Sequence, residues 1–158
     1  MAKFELQLPT DIINDIEFVN DNSKKIFGEM TKAGAEVVYN NARANVPKGL
    51  RDNASFMQCL KKTRIYETPS DDGINTKVMI TGYFTAKHGK KDVKLPAPLV
   101  ANAFEYGTSE RSTKTGYNKG KINKQPFFRK SFKKAQIESA MMNAQNQYSK
   151  GILKWTNW

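Results

Sequence analysis

Apolar residues recur along this chain with two different periods, and the change between them marks its main division. From Ile26 through Met30, Ala33, Val37 and Asn41 the spacings are four, three, four and four. That is one face of a 3.6-residue helix, and Phe27, Val38 and Ala42 widen it towards a core. Asp21, Asn22 or Ser23 can cap this helix at its start, and Pro47 ends it by pushing the preceding residue out of the α region. Ahead of it, Ile12, Ile13, Ile16 and Val19 form a shorter helical stripe. Phe4, Leu6 and Leu8 alternate with polar residues as an extended lead-in or short strand, closed by Pro9 and Thr10. Gly34 stands among Ala33, Ala35 and Ala42, a small-residue site where another element can approach closely, at a helix-propensity cost of about 1 kcal/mol.

From Phe56 the period shortens. Phe56–Tyr66 and, more clearly, Asn75–Phe84 read as strands, and Asp71-Asp-Gly73 supplies turn chemistry for an antiparallel hairpin. Residues 85–95, with His88, Gly89 and four lysines, read as an exposed loop. Pro96 and Pro98 introduce a short helix over Leu99–Tyr106 that ends at Gly107, where a positive φ is expected. Residues 107–124 form an extended Gly/Ser/Thr/Lys-rich loop, long enough to carry function. Pro126 suits the first turn of a terminal helix. Phe128, Phe132 and Ala135, then Ile137, Met141, Ala144 and Tyr148, carry its apolar stripe through about six turns to Ser149.

The expected fold is therefore α+β, one domain over residues 1–158. A long N-terminal helix and a C-terminal helix pack on one face of a small antiparallel β-sheet, beside a long basic loop. Residues 1–20 serve as a lead-in and residues 150–158 as a tail. Trp155 and Trp158 in that tail are candidate contacts for their own domain or for a neighbour.

Charge sharpens the picture. The net charge is +11, but residues 1–22 sum to −4 and residues 107–134 to +8. Such asymmetry favours a polyanion near the loop, or head-to-tail contact between copies of one chain. Arg111, Lys114, Lys119, Lys121 and Lys124 are the candidate partner contacts within the loop. With Arg129, Lys130, Lys133 and Lys134 they could also track phosphates, with Tyr117 as a stacking residue. No helix-turn-helix or RNA-recognition pattern accompanies them, so a nucleic-acid-binding module would be nonspecific.

Candidate chemistry is thin. No apolar run reaches the length of a membrane span, and no membrane partner is expected. Cys59 is the only cysteine and His88 the only histidine. They cannot fill a standard zinc site, and a lone cysteine suits a reducing cytoplasm. The phosphate-binding GxxxxGK[ST] pattern and the GxSxG elbow are both missing, and Asp71-Asp-Gly73 lacks the later glutamate of a calcium loop. The expectation is a protein without enzymatic activity, cofactor or metal; a small hydrolase or toxin using Cys59 or His88 is the remaining catalytic reading. Glu105, between Phe104 and Tyr106, either faces solvent on a short helix or is buried. If buried, it needs backbone donors or a cation such as Arg43, Arg51 or Arg111.

Taken in order, these features resemble a known family. They are a long helix, Pro47-Lys-Gly-Leu-Arg51, strands, Phe104-Glu-Tyr-Gly-Thr108, a variable loop and Gln125-Pro-Phe-Phe-Arg129. The chain is similar, over about residues 20–150, to the tail-completion or head–tail joining (neck) proteins of long-tailed double-stranded DNA phages. It departs from the family's usual Thr-Gly-x-Leu-Arg-x-Ser pattern, because Lys48 precedes Gly49 and Ala54-Ser55 falls out of place. The resemblance implies a structural virion protein assembled in the host cytoplasm and placed at the head–tail junction. It implies a homo-oligomeric ring, a hexamer, around the DNA channel, in contact with the connector or stopper and with the tail terminator or tail tube. It assigns Phe104, Glu105, Tyr106, Gly107 and Thr108, with Gln125, Pro126, Phe127 and Phe128, to shaping the central segment and anchoring the terminal helix.

Overall fold

The structure is a computed structural model that describes residues 10–68, 73–89 and 91–150. The expected strand at Phe4–Leu8, most of the Asp71–Gly73 turn, and Trp155 and Trp158 lie outside those residues, as do the side chains of Ile12, Ile13 and Val19.

One helix, α1, runs without interruption from Thr10 to Asn45, about 54 Å at the usual rise. The two helices expected here are one. Ser23 does not cap; its hydroxyl donates to the Asn20 carbonyl inside the helix, 2.8 Å away, a local bond that leaves the helical ladder intact. Of the expected face, Ile26, Val38 and Ala42 are buried, and Ala35 and Val46 join them, whereas Phe27 is 54% exposed, so the buried face is shifted towards the Val38–Ala42 side.

Past Pro47 come two single turns, α2 (Lys48–Arg51) and α3 (Ala54–Met57). The start of the expected Phe56 strand is therefore helical. The Asn53 side chain accepts the Phe56 N–H (3.0 Å) and so caps α3, while its amide donates to the Thr85 carbonyl (2.8 Å). The Arg51 guanidinium donates to the carbonyls of Ala44 (2.6 Å) and Val46 (2.8 and 3.1 Å). A cation thus satisfies the Ala44 carbonyl in the last turn of α1 and the Val46 carbonyl just past it, where the helix dipole is negative.

Among the described residues the strands form four two-stranded antiparallel ladders instead of one sheet. β1 (Leu60–Lys62) pairs with β4 (Val78–Ile80), and β2 (Tyr66–Thr68) with β3 (Gly73–Asn75). These are two halves of the expected hairpin, whose register slips by one residue where Arg64 and Ile65 oppose Thr76. β5 (Tyr83–His88) pairs with β6 (Lys91–Pro96) over all six residues. The loop expected at 85–95 is thus a hairpin. Its residues are exposed on both faces apart from Phe84, Ala86, Leu95 and Pro96, so it lacks the alternation that identifies a strand. α4 (Ala97–Tyr106) follows directly, ending at Gly107.

β7 (Arg111–Ser112) and β8 (Asn118–Gly120) form a small hairpin inside the segment expected to be an extended loop. A 3-10 turn at Arg129–Ser131 then leads to α5 (Lys134–Lys150). The terminal helix begins eight residues after Pro126, and Phe127 and Phe128 lie ahead of it, not within its first turn.

The core gathers Val46, Leu50, Phe56, Cys59, Phe84, Ala97, Ala101 and Phe127. Phe56 meets Phe84 edge to face at 5.1 Å, a geometry favoured by the ring quadrupoles. α5 packs along α1 at Gly34, where an added Cβ would stand 3.1 Å from Met141 and 3.2 Å from Ile137.

Candidate functional site: a carboxylate buckle beneath a basic hairpin

Glu105 lies on the last turn of α4 and is only 7% exposed. Its Oε2 accepts the backbone N–H groups of Phe127 and Phe128, both at 2.9 Å, and its Oε1 accepts that of Arg129 at 3.0 Å. Neither Arg43, Arg51 nor Arg111 is its partner. Arg51 is committed to α1, and Arg43 lies over the Tyr39 ring and donates to its hydroxyl. Three consecutive amides replace a cation because the chain from Phe127 to Ser131 turns into a 3-10 helix. Its first N–H groups then point together at one anion.

Neighbouring residues tighten the same joint. The Gln125 N–H donates to the Phe104 carbonyl (2.7 Å) and the Thr108 N–H to that of Ile122 (3.0 Å), while the Thr108 hydroxyl accepts the Ile122 N–H (2.9 Å). Gly107 has φ +79 and ψ 174, a region essentially confined to glycine, and an added Cβ would stand 3.2 Å from the Ile122 carbonyl oxygen and Lys124 nitrogen. On the other flank the fully buried Ser131 hydroxyl donates to the Phe127 carbonyl (2.6 Å), and Asn41 of α1 donates to the Ser131 carbonyl (3.2 Å).

The structure thus brings the two halves of the sequence pattern together. Phe127 is buried in the core, Phe104 and Phe128 pack against it, and Phe128 meets Phe132 edge to face at 5.6 Å. Tyr106 stays 60% exposed, with the Arg129 guanidinium 5.4 Å above its ring. Gln125 acts through its backbone, and Pro126 is half-buried between the two joints.

Residues 109–121 project from this buckle. Arg111, Lys114, Lys119 and Lys121 are exposed on the hairpin, with Lys124 at its base. Its tip is ordered internally: the Gly116 N–H donates to the Thr113 carbonyl (2.9 Å) and the Tyr117 N–H to the Thr113 hydroxyl (3.0 Å). Tyr117 itself is 73% exposed. Lys130, Lys133 and Lys134 are exposed just past the buckle. The arrangement offers an anionic partner a set of ammonium and guanidinium groups on a small hairpin.

The two residues named for a catalytic reading, Cys59 and His88, lie apart. Cys59 is buried, its thiol against the Ser55 and Tyr83 carbonyls at 3.4 and 3.5 Å. His88 lies five residues along β5 from Tyr83, about 17 Å at the strand rise. Among the described residues, no group of three His, Cys, Asp or Glu could hold a metal ion, and no helix is long and apolar enough to cross a membrane.

The sequence reading missed the Ser131–Asn41 tie and the Arg51 clamp, both of which depend on contacts between distant segments that no local pattern announces. Compared with known proteins, the chain matches no family model, no curated protein and no solved structure.

Proposed function

We propose that this chain is a structural subunit of a phage neck, a non-enzymatic protein that assembles into a ring and joins or completes the head–tail interface around the DNA channel. The observation that carries the reading is the Glu105 clamp. The two segments on which the resemblance rests, Phe104–Thr108 and Gln125–Arg129, are one physical unit joined by a single carboxylate. The unit does no chemistry. It fixes both ends of a projecting basic arm, as a subunit that must present a contact in a set direction requires.

Two further features fit assembly from copies of one chain. Acidic residues gather before residue 23 and basic ones between 107 and 134, a complementarity suited to heterologous, ring-closing contact. Large apolar side chains also stand exposed along the molecule, among them Ile16, Phe27, Leu99 and Met142. Single exposed hydrophobics are ordinary, but these are spread over α1, α4 and α5, where a neighbouring copy could cover them.

Replacing residues 111–120 by a short Gly-Ser linker tests the reading. The folded subunit should persist, because the buckle lies outside the deletion, while joining of heads to tails should fail. Normal infectious particles from the deleted chain would remove the arm from the mechanism. Nonspecific DNA binding, the second use open to the same lysines, would show as affinity that falls steeply as salt rises.

A further inference from the structure

The strand run Ile74–Ile80 has an open edge that forms the floor of a groove. Val78, Met79 and Ile80 all border one cavity of about 380 Å³, beneath α4 and the Phe127–Phe132 segment. Ile74, Asn75, Thr76 and Val78 border a second, of about 300 Å³, between α1 and α5. Alternate residues of a strand face opposite sides, so consecutive residues can share a cavity only where the strand presents its edge.

Hydrogen bonds identify which groups are presented. The Thr63 N–H donates to the Lys77 carbonyl and the Thr81 N–H to the Cys59 carbonyl, both at 2.9 Å. Lys77, Met79 and Thr81 therefore turn their backbone groups towards β1. Val78 and Ile80, one residue out of step, direct theirs away from it into the groove. Among the described residues, no strand pairs with that side of β3 or β4. An edge with apolar walls is the usual template for an added strand.

This chain carries a segment of the matching pattern. In Phe4-Glu-Leu-Gln-Leu8 three apolar residues occupy one face and two polar residues the other. The segment cannot reach the edge of its own subunit. An added Cβ on Gly28 would stand 3.8 Å from Ile74, which sets Ile74 level with Gly28, about 27 Å along α1 from Thr10. Val78 lies farther away still, for its partner Lys62 forms an ion pair with Glu36, about 39 Å from Thr10. Six extended residues from Thr10 back to Phe4 span only about 22 Å.

Resting on the multi-copy reading above, we infer that the edge Ile74–Ile80 receives the Phe4–Leu8 segment of a second copy of this chain as an added antiparallel or parallel strand. Phe4, Leu6 and Leu8 enter the groove beside Val78 and Phe132. Glu5 and the acidic start of the donor's α1 face the Arg129 and Lys133 side of the acceptor.

The test uses full-length chains. The unchanged protein should form an oligomer by light scattering. A Leu6→Asp/Leu8→Asp double variant, altered only in the donated segment, should associate at least tenfold more weakly. So should Val78→Pro, which removes an N–H that faces the groove and not β1. Far-ultraviolet circular dichroism checks that each variant keeps its fold; should Val78→Pro unfold, the double variant decides. Mixing Leu6→Cys chains with heavier, tagged Val78→Cys chains and a short bismaleimide should give a cross-linked heterodimer. An oligomer unaffected by Leu6→Asp/Leu8→Asp would overturn strand donation and leave the ring reading standing. So would an intrachain link from Val78→Cys to Trp155→Cys in one doubly substituted chain, with none to Leu6→Cys. An unchanged chain that stays monomeric at every concentration would remove both.

Discussion

Glu105 is the residue on which the site turns, and its energetics are open to measurement. Three backbone N–H groups point at one buried carboxylate, and hydrogen bonds to a charged acceptor contribute about 1.5–3 kcal/mol each before non-additivity is considered. Glu105→Gln keeps the shape but turns an NH₂ towards donors. Urea unfolding should show a loss of about 3 kcal/mol, and hydrogen exchange at Phe127, Phe128 and Arg129 should quicken. Gly107→Ala should lose about 2–3 kcal/mol in the same assay, from strain at a glycine-only conformation and from contact with the 122–124 backbone. The sequence singles out both positions, since a carboxylate between two aromatics needs a partner if it is buried, and a glycine after a helical stripe ends it. It does not identify the partner. Backbone amides leave no compositional trace, whereas arginines do, which is why Arg43, Arg51 and Arg111 stand out although none of them meets Glu105.

At the level of elements, α1 and α5 meet through a small residue. Gly34→Ala should be nearly neutral by thermal unfolding, because a helix-propensity gain of about 1 kcal/mol offsets a slight displacement of Met141 and Ile137. Gly34→Leu should cost about 2 kcal/mol by overpacking the same contact. The helical character of α1, α4 and α5 and the stop at Gly107 are legible in the sequence because apolar residues recur at the helical period; the fusion of two expected helices into α1 and the late start of α5 are not. The β5–β6 hairpin is not, since most of its residues meet water on both faces, and alternation has nothing to record. Pro126 misleads for a related reason. It suits a first helical turn, but the amides that follow it are claimed by Glu105, and the chain coils once as a 3-10 turn before α5 can start at Lys134.

For the whole molecule, the α+β architecture agrees with the pattern of elements, while the slip at Arg64–Ile65 and the break at Thr81–Gly82 separate three ladders where one sheet is expected, and β7–β8 adds a fourth apart from them. That division leaves a strand edge open between the helices, a feature visible only after folding. The claim that unites the site, the charge asymmetry and the open edge is that the chain works as one of several identical copies. Native mass spectrometry of the purified full chain, read alongside electron microscopy of the same sample, tests it most directly. A single closed multiple of the 17.9 kDa subunit, seen as rings, is the predicted result. A 17.9 kDa monomer at every concentration, with no rings, would contradict it.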